Sequence, residues 1–328
     1  MGTQKGLQLV TRDESGVDTA FREDVLRGLS QEQKAIPARW LYDDAGSQLF
    51  EDITQLPEYY PTRAETEILQ EQSSSFAEMI APGCAVVEFG SGSSVKTPLL
   101  LSAIDPAAYV PLDISGDFLR ASAQELADKF PQVPIYPVEA DFMRHVKLPS
   151  AIADLPKLGF FPGSTIGNMV PRTAVDLLRN MRETLGVGAK LLIGMDLIKD
   201  ADVLEAAYDD AAGVTAEFNY NLIRRINREI EGNIDVQALL HEARWNDEYA
   251  RVEMHLVAQK DIAFSVAGQN FALVKGESIH TENSHKFNRR TSSMVLLAGG
   301  WEPQSRWLDE EEQFSLILAE ARPNRSAP

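Results

Sequence analysis

Glu88-Phe89-Gly90-Ser91-Gly92-Ser93-Ser94 follows a short apolar run, Ala85-Val86-Val87, and lies where a first β-strand should meet its helix. Glycines at such a turn let the backbone approach a ligand closely. Ligands of open α/β sheets bind at the carboxyl ends of the strands. This stretch therefore predicts an α/β domain with a ligand site at the glycine turn.

Strand and helix patterns alternate around this turn, which implies right-handed βαβ units and a parallel, doubly wound sheet. The predicted strands are 85–89, 109–112, 135–138, 158–161 and 190–195, and the predicted helices are 64–79, 97–104, 116–130 and 172–185. A different order follows, with helices at 200–210, 214–231 and 288–298 and strands at 251–258, 262–266, 271–273, 302–308 and 314–320. We expect the last two strands to complete the sheet after an inserted lobe.

The same patterns predict the domain organisation. The sheet domain should comprise 64–196 plus 287–322, and a second α+β lobe should comprise 15–63 plus 197–286, with tails at 1–14 and 323–328. An amphipathic helix is expected from Val17 to Leu29, and Pro57 and Pro61 bracket an aromatic loop, because each proline fixes φ and removes a donor.

Charge and composition exclude several functions. The 328 residues carry 31 Lys+Arg against 49 Asp+Glu, a net charge of −18. Proteins that bind nucleic acids or anionic membrane surfaces need a positively charged surface instead. The chain contains no stretch of 18 apolar residues and no apolar signal core at its start. The single cysteine, Cys84, excludes an internal disulfide framework. We expect a cytoplasmic monomer.

Three cofactor classes use turns of this kind. A dinucleotide site requires a third glycine at the position of Val95, and a phosphate-binding loop ending in Lys96-Thr97 also requires glycine there. The phosphate-binding loop nevertheless stays open as a near match. An acid followed by Gly-x-Gly is instead the usual opening of class I S-adenosylmethionine-dependent methyltransferases.

Two later acids favour the third class. Asp113 follows Gly90 by 23 residues and ends the second strand, where a carboxylate can bind ribose hydroxyls. Asp141-Phe142 follows the third strand, where an acid and a backbone amide can bind an adenine edge. Alternatively, both acids cap the next helix. The glycine turn and the two acids together predict an S-adenosylmethionine site.

Longer strings make the resemblance specific. From about Val17 to Glu320 the chain resembles the ergothioneine-pathway L-histidine Nα-methyltransferase family. The strings that carry the resemblance are Leu56-Pro-Glu-Tyr-Tyr-Pro-Thr-Arg63, Glu88-Phe-Gly-Ser-Gly92, Gly163-Ser-Thr-Ile-Gly-Asn168 and Ala207-Tyr-Asp-Asp-Ala-Ala-Gly-Val-Thr-Ala216. The resemblance implies a class I fold and three methylations of the histidine α-amine, giving hercynine. It also makes the sheet domain the cofactor-binding domain and the second lobe the substrate-binding lobe.

The resemblance also implies roles for individual residues. Asn168 and Tyr59 are the expected catalytic residues, and Tyr59 faces the amine. Tyr208 holds the substrate carboxylate with Asn168, Glu282 and Ser284 bind the imidazole, and Tyr42 and Met254 line the same pocket. The expected cofactor-binding residues are Glu88, Gly90, Ser91, Gly92, Lys96, Asp113, Asp141 and Phe142.

Each substrate residue also has an ordinary structural interpretation. Tyr59 could be a buried tyrosine, Tyr208 one face of an amphipathic helix, and Asn168 a loop residue that satisfies local backbone. Glu282 and Ser284 precede a predicted helix and could cap it.

The histidines show no HExxH or other metal spacing, so no metal site is expected. His280 and His285 are expected in solvated loops. Two alternative functions stay open: N-methylation of another amino acid, such as tryptophan or a derivative, and a non-enzymatic nucleotide-binding module.

Overall fold

Strands and helices alternate in the computed structural model of this chain, which describes residues 18–92, 96–114 and 116–323, with backbone alone at 117 and 118. The helices are α1 (Thr19–Leu29), α2 (Asp44–Thr54), α3 (Tyr60–Glu71), α4 (Ser73–Met79), α5 (Thr97–Ile104), α6 (Gly116–Lys129), α7 (Pro171–Leu185), α8 (Ala201–Ala206), α9 (Val214–Glu229) and α10 (Arg289–Ala298). Val17, the 1–14 tail and the 323–328 tail beyond Pro323 lie outside the described residues.

The strands follow the same chain order. They are β1 (Lys34–Ala35), β2 (Ala85–Phe89), β3 (Ala108–Asp113), β4 (Val138–Glu139), β5 (Lys157–Phe161), β6 (Lys190–Asp196), β7 (Leu239–Asn246), β8 (Arg251–Ala258), β9 (Ile262–Val266), β10 (Gln269–Leu273), β11 (Ser278–His285), β12 (Trp301–Leu308) and β13 (Phe314–Ala321). None of the helices among the described residues combines the length and apolarity needed to cross a membrane.

The chain divides into two units. One contains the described residues up to Tyr60 together with Lys199–His285, and the other contains Pro61–Ile198 together with the described residues from Lys286 onward.

A seven-stranded sheet forms the centre of the second unit, in the order β12-β13-β6-β5-β2-β3-β4. The strands β2 to β6 pair in parallel, whereas β13 runs antiparallel to both β6 and β12. The predicted doubly wound sheet, completed by two strands after an inserted lobe, is confirmed. The strand order reverses between β2 and β5, and sheets of this type bind ligands at such a switch point.

Side-chain alternation along β2 divides the interior of this unit into two cores. Val87 and Phe89 lie in a core with residues of α7 and α10, and Val86 lies in the opposite core with residues of α3, α4 and α5. All five residues of β2 are buried because helices cover both faces of the sheet.

The first unit has its own sheet and core. Its four strands are ordered β1-β11-β8-β7, with β9 and β10 forming a separate hairpin. Apolar residues from α1, α2 and α9 pack with residues of this sheet in a single core.

Several predicted elements are wrong in extent. The helix expected over 64–79 is interrupted at Gln72, between α3 and α4, where a polar run containing three serines offers little to bury. The strand expected over 135–138 is reduced to a bridge at Ile135 and to β4, because Pro137 cannot donate a ladder hydrogen bond. The helix expected over 200–210 ends at Ala206.

The short strand β1 and the helix α2 were not predicted, nor were two long strands, β7 and β11. Of the two long strands, β7 was not assigned, and β11 replaces the loop expected around 280–285. Both are rich in polar residues, so apolar periodicity did not reveal them. His280 and His285 therefore do not lie in solvated loops: both lie in β11, with His280 half-buried and His285 buried. Glu282 and Ser284 do not cap a helix either, because Asn288 caps α10.

One carboxyl group lies inside the central sheet. Glu88 is 2% exposed and accepts hydrogen bonds from Tyr109 Oη at 2.5 Å and Thr97 Oγ1 at 2.7 Å. Burial raises the pKa of Glu88 to about 7, and the two hydrogen bonds only partly oppose this rise.

This burial predicts a pH dependence of stability. A carboxyl whose pKa is raised on folding stabilises the folded state at low pH, and that contribution is lost as pH rises through the folded pKa. Between pH 4.5 and 8, we expect wild type to lose about 3 kcal/mol of unfolding free energy relative to Glu88→Gln, which does not titrate. Urea unfolding at a series of pH values measures the difference, and parallel curves for the two proteins would contradict it.

Candidate active site

The glycine turn after β2 has a fixed backbone. Gly90 and Gly92 adopt φ of +73° and +48°, and the N–H groups of Gly90 and Ser91 both donate to the Leu112 carbonyl, at 2.9 and 3.1 Å. A Cβ at Gly90 would lie 3.2 Å from the Phe142 ring. Glycine is therefore required here both for its φ and for close packing.

The next two strands bring the predicted acids to the same edge of the sheet. Asp113 ends β3, and its Oδ2 accepts from the Gly92 N–H at 3.1 Å. Asp141 follows β4, and its Oδ1 accepts from the Met143 N–H at 2.9 Å in a local turn. The Phe142 ring packs edge-on against two core phenylalanines, Phe89 and Phe161.

These residues fit an adenosyl group. A Cβ at Gly90 would crowd the Phe142 ring, so the turn is narrow at this point. Asp113 and Asp141 lie beside the turn, at the ends of two adjacent strands. Ser91 is buried in the turn. Glu88, in contrast, directs its carboxylate to Tyr109 and Thr97 inside the sheet.

Lys96 lies just before α5 and forms an ion pair with Glu65 of α3. Glu65 is fully buried and also accepts from the Gly163 N–H at 2.8 Å. A carboxylate that sequence reasoning missed thus neutralises the lysine and holds the loop that follows β5.

Asn168 lies on that loop, at the end of a 3₁₀ turn, Thr165–Asn168. The loop begins with Ser164 at φ +55°, whose hydroxyl accepts from the Asp196 N–H at 2.9 Å. Asn168 therefore lies in the loop at the carboxyl end of β5.

Within the first unit, the predicted substrate residues belong to an aromatic cluster. Tyr59, 7% exposed in the loop between α2 and α3, has its ring 6.1 Å from that of Tyr208. The Tyr42 ring lies 5.4 Å from that of Phe218 and 5.6 Å from that of Phe50. Phe50 and Phe218 were missed, because aromatic residues on amphipathic helices are usually ordinary core residues.

Polar groups adjoin this cluster. Glu282 is 7% exposed, and the Tyr42 hydroxyl donates to its Oε1 at 3.5 Å. Tyr208 Oη and Ser284 Oγ share a hydrogen bond of 2.7 Å. Tyr42 is 37% exposed, but desolvation of its hydroxyl raises its pKa well above the usual value, and the nearby Glu282 carboxylate adds to the rise, so Tyr42 remains a neutral donor.

A register shift in β11 determines which way Glu282 faces. His280 pairs with His255 and Glu282 with Met254, so Thr281 is an extra residue between them. Thr281 is buried and its hydroxyl donates to the Met254 carbonyl at 3.1 Å. The shift puts Glu282 and Ser284 on the buried face with Met254 and places His280 on the opposite face.

His241 on the unpredicted strand β7 also supports the cluster. Its Nε2 lies 2.8 Å from the Tyr208 carbonyl oxygen, and its Nδ1 lies 2.9 Å from Asn219 Nδ2. The turn that carries Tyr208 is thereby attached to the sheet. Sequence spacing offered no signal for this contact, because the three residues come from three separate segments.

The opposite face of β8 and β11 brings together Glu253, His255 and His280, whose potential metal-ligating atoms lie within 4.8 Å of one another. Burial lowers the pKa of His255 to about 4 and also lowers that of His280. Burial alone would raise the pKa of Glu253, but hydrogen bonds with His255 and Arg251 lower it to about 2. The group therefore contains two neutral imidazoles and one carboxylate at neutral pH.

Comparison with known proteins covers both units. Residues 21–321 match the family described as histidine-specific methyltransferase, S-adenosylmethionine-dependent. A histidine N-alpha-methyltransferase of Mycolicibacterium smegmatis is 40% identical over 309 residues, covering 92% of this chain and 94% of that protein. Ergothioneine biosynthesis protein 1 of Neurospora crassa is 30% identical over 306 residues, covering 88% of this chain and 33% of that protein.

Solved structures that superpose on this chain include the CcbJ methyltransferase from Streptomyces caelestis. It is 14% identical, with a TM-score of 0.47, and the match covers 86% of this chain and all of that chain. The central sheet and the sequence match agree on a class I methyltransferase fold. Because the family match spans almost the whole described chain, the protein belongs to the histidine-specific, S-adenosylmethionine-dependent methyltransferase family.

Proposed function

We propose that this enzyme transfers three methyl groups to the α-amine of L-histidine, giving hercynine in the first step of ergothioneine biosynthesis. The observation that carries the proposal is the buried Glu282 carboxylate beside the Tyr208–Ser284 hydrogen bond in an aromatic cluster. Membership in a histidine-specific family supports it.

Glu282 supplies the selectivity for imidazole. A buried carboxylate accepts an imidazole N–H well, whereas an apolar substrate side chain has no hydrogen to donate to it. Ser284 provides a hydroxyl that can donate or accept, which suits the second ring nitrogen. Tyr42 and Met254 complete the apolar walls around the ring.

Tyr59 and Tyr208 serve the amino-acid end of the substrate. The face and hydroxyl of Tyr59 suit a nitrogen that becomes permanently cationic. The Tyr208 hydroxyl is a donor for the substrate carboxylate once its bond to Ser284 is exchanged. Asn168 offers both donors and an acceptor and can therefore bind an amine as well as a carboxylate.

The glycine turn and the strand-end residues would hold the methyl donor. Asp113 would accept from the ribose hydroxyls, and Asp141 with Phe142 would bind the adenine edge. The backbone of Gly90, Ser91 and Gly92 would lie against the methionyl part of the cofactor. Lys96 and Glu88 would support the turn. S-adenosylmethionine supplies an electrophilic methyl group on a sulfonium, which is already activated.

The residues therefore act mainly by positioning. The attacking amine must be aligned with the methyl group, and its nitrogen must be deprotonated. The pKa of an α-amine lies near neutral-to-alkaline pH, so removing its proton requires little free energy. Three successive transfers require the amine to rotate, so the imidazole and carboxylate should be held more firmly than the amine.

A methylation assay with a panel of free amino acids, read by mass spectrometry, tests the function. We expect histidine alone to gain three methyl groups. Methylation of tryptophan or a derivative instead would leave the methyltransferase assignment standing and refute the role of Glu282. No methylation of any amino acid would refute the proposal.

Replacing Glu282 should separate substrate binding from cofactor binding. Loss of a charge-assisted hydrogen bond costs about 2 kcal/mol, so Glu282→Gln should raise the Kd for histidine roughly thirtyfold. The Kd for S-adenosylhomocysteine should stay within about twofold, since this residue has no cofactor role. Isothermal titration calorimetry measures both constants.

A matched control for this variant is Glu277→Gln, the same change at an exposed residue just before β11. It should leave both constants unchanged. Equal losses of histidine and S-adenosylhomocysteine affinity in Glu282→Gln would contradict its assignment to the imidazole.

Asp113→Asn should weaken cofactor binding rather than histidine binding. The amide keeps an oxygen that can accept from the Gly92 N–H, so the turn is retained while the charge facing the ribose is lost. A loss of about 1.5 kcal/mol, roughly tenfold in the Kd for S-adenosylhomocysteine, is expected. Asp128→Asn, exposed on α6, is the control, and an unchanged Kd in Asp113→Asn would refute the ribose contact.

We also propose that the enzyme acts as a monomer in the cytoplasm. The proposal rests on the acidic composition and on a single, buried cysteine. Light scattering of the purified chain tests the oligomeric state, and fractionation of cells tests the location.

A further inference from the structure

The face of β8 and β11 opposite to Glu282 carries a second set of chemically active side chains. Glu253 and His255 lie two residues apart on β8, so both project from the same face, and His280 is the direct cross-strand partner of His255. His255 Nε2 lies 3.1 Å from Glu253 Oε2, and the two imidazole rings stack with centroids 4.7 Å apart.

The remaining polar atoms of this triad are already oriented by neighbours. His255 Nδ1 lies 3.0 Å from Ser278 Oγ, and His280 Nε2 lies 3.0 Å from the Glu282 carbonyl oxygen. Arg251 and Asn246 both bond to Glu253 Oε1, at 2.6 and 2.9 Å. Such outer contacts fix the tautomer and orientation of metal ligands in proteins.

Glu253, His255 and His280 each offer one metal-ligating atom, and these three atoms lie within 4.8 Å of one another. Ligands of a tetrahedral zinc ion are separated by roughly 3.3 Å. The His255 Nε2–Glu253 Oε2 distance of 3.1 Å is close to this value, and the ligand atoms of the whole group lie within 4.8 Å of one another.

Asn283 completes the surroundings of the triad. It is the cross-strand partner of Glu253, and its side chain hydrogen-bonds with the His280 imidazole. This amide is a further outer contact that orients His280.

The surrounding charge permits a cation. Two arginines lie nearby, but Arg251 is paired with Glu253 and Arg244 with Glu242.

We propose that Glu253, His255 and His280 form a binding site for a divalent transition metal of the zinc class. Two imidazoles and a carboxylate are donors that such ions prefer. The ion would join β8 to β11 on one face while Glu282 and Ser284 occupy the other, and His280 would connect it to the Glu282 backbone. The site is structural and does not depend on the proposed substrate.

The experiment uses the full-length chain without an affinity tag, stripped with a chelator and titrated with zinc chloride. We expect one zinc ion per chain by mass spectrometry of the metal and by calorimetry. His255→Gln/His280→Gln should weaken zinc binding at least about tenfold. The matched control His145→Gln, an exposed histidine outside the site, should bind like wild type.

Cobalt substitution makes the test independent of whether the double variant folds. Cobalt(II) bound to the wild-type chain should give visible ligand-field bands of a nitrogen- and oxygen-ligated site, and Glu253→Gln should shift them. Circular dichroism of the metal-free variants checks folding. Absence of saturable zinc binding and of cobalt bands in wild type, or equal zinc binding by a folded His255→Gln/His280→Gln variant, would overturn the proposal.

Discussion

Parallel pairing of β2 with β3 and β5 is the constraint on which the unit with the seven-stranded sheet depends. Parallel strands carry their carboxyl ends to one edge of the sheet, so the residues that follow different strands meet there although they are far apart in sequence. The glycine turn follows β2, Asp113 ends β3 and the Asn168 loop follows β5.

Close packing at this edge requires unusual residues. Gly90 fits against Phe142 only because it lacks a Cβ, and Ser164 holds a left-handed conformation at the start of the Asn168 loop. Buried acids brace the same region: Glu65 holds both Lys96 and the loop, and Glu88 is bound by Tyr109 and Thr97. Polar groups inside a core must be satisfied, so these contacts restrict how the turn and the loop can move.

In the first unit, a single extra residue in β11 determines which side chains face the aromatic cluster. Alternation along a strand would put His280, Glu282 and Ser284 on one face. The register shift at Thr281 separates them, so that Glu282 and Ser284 join the aromatic cluster and His280 joins His255 on the opposite face. One irregularity therefore creates two chemically different surfaces on the same strand.

The sequence by itself determined the fold class, the alternation of strands and helices along the sheet domain, the glycine turn and the acids that follow the next strands. These depend on local periodicity and on short spacings, which are written along the chain. The tyrosines and the Glu282–Ser284 pair were also identified from the sequence, through the family resemblance.

Only the tertiary structure decided the contacts between distant segments. It revealed β7 and β11, the register shift at Thr281, and the partners Glu65 for Lys96 and His241 for Tyr208. It also assembled Glu253, His255 and His280 across two strands, where sequence spacing predicted no metal site. Polar strands carry no apolar alternation, and cross-strand pairing depends on register, a property that arises only when the strands meet.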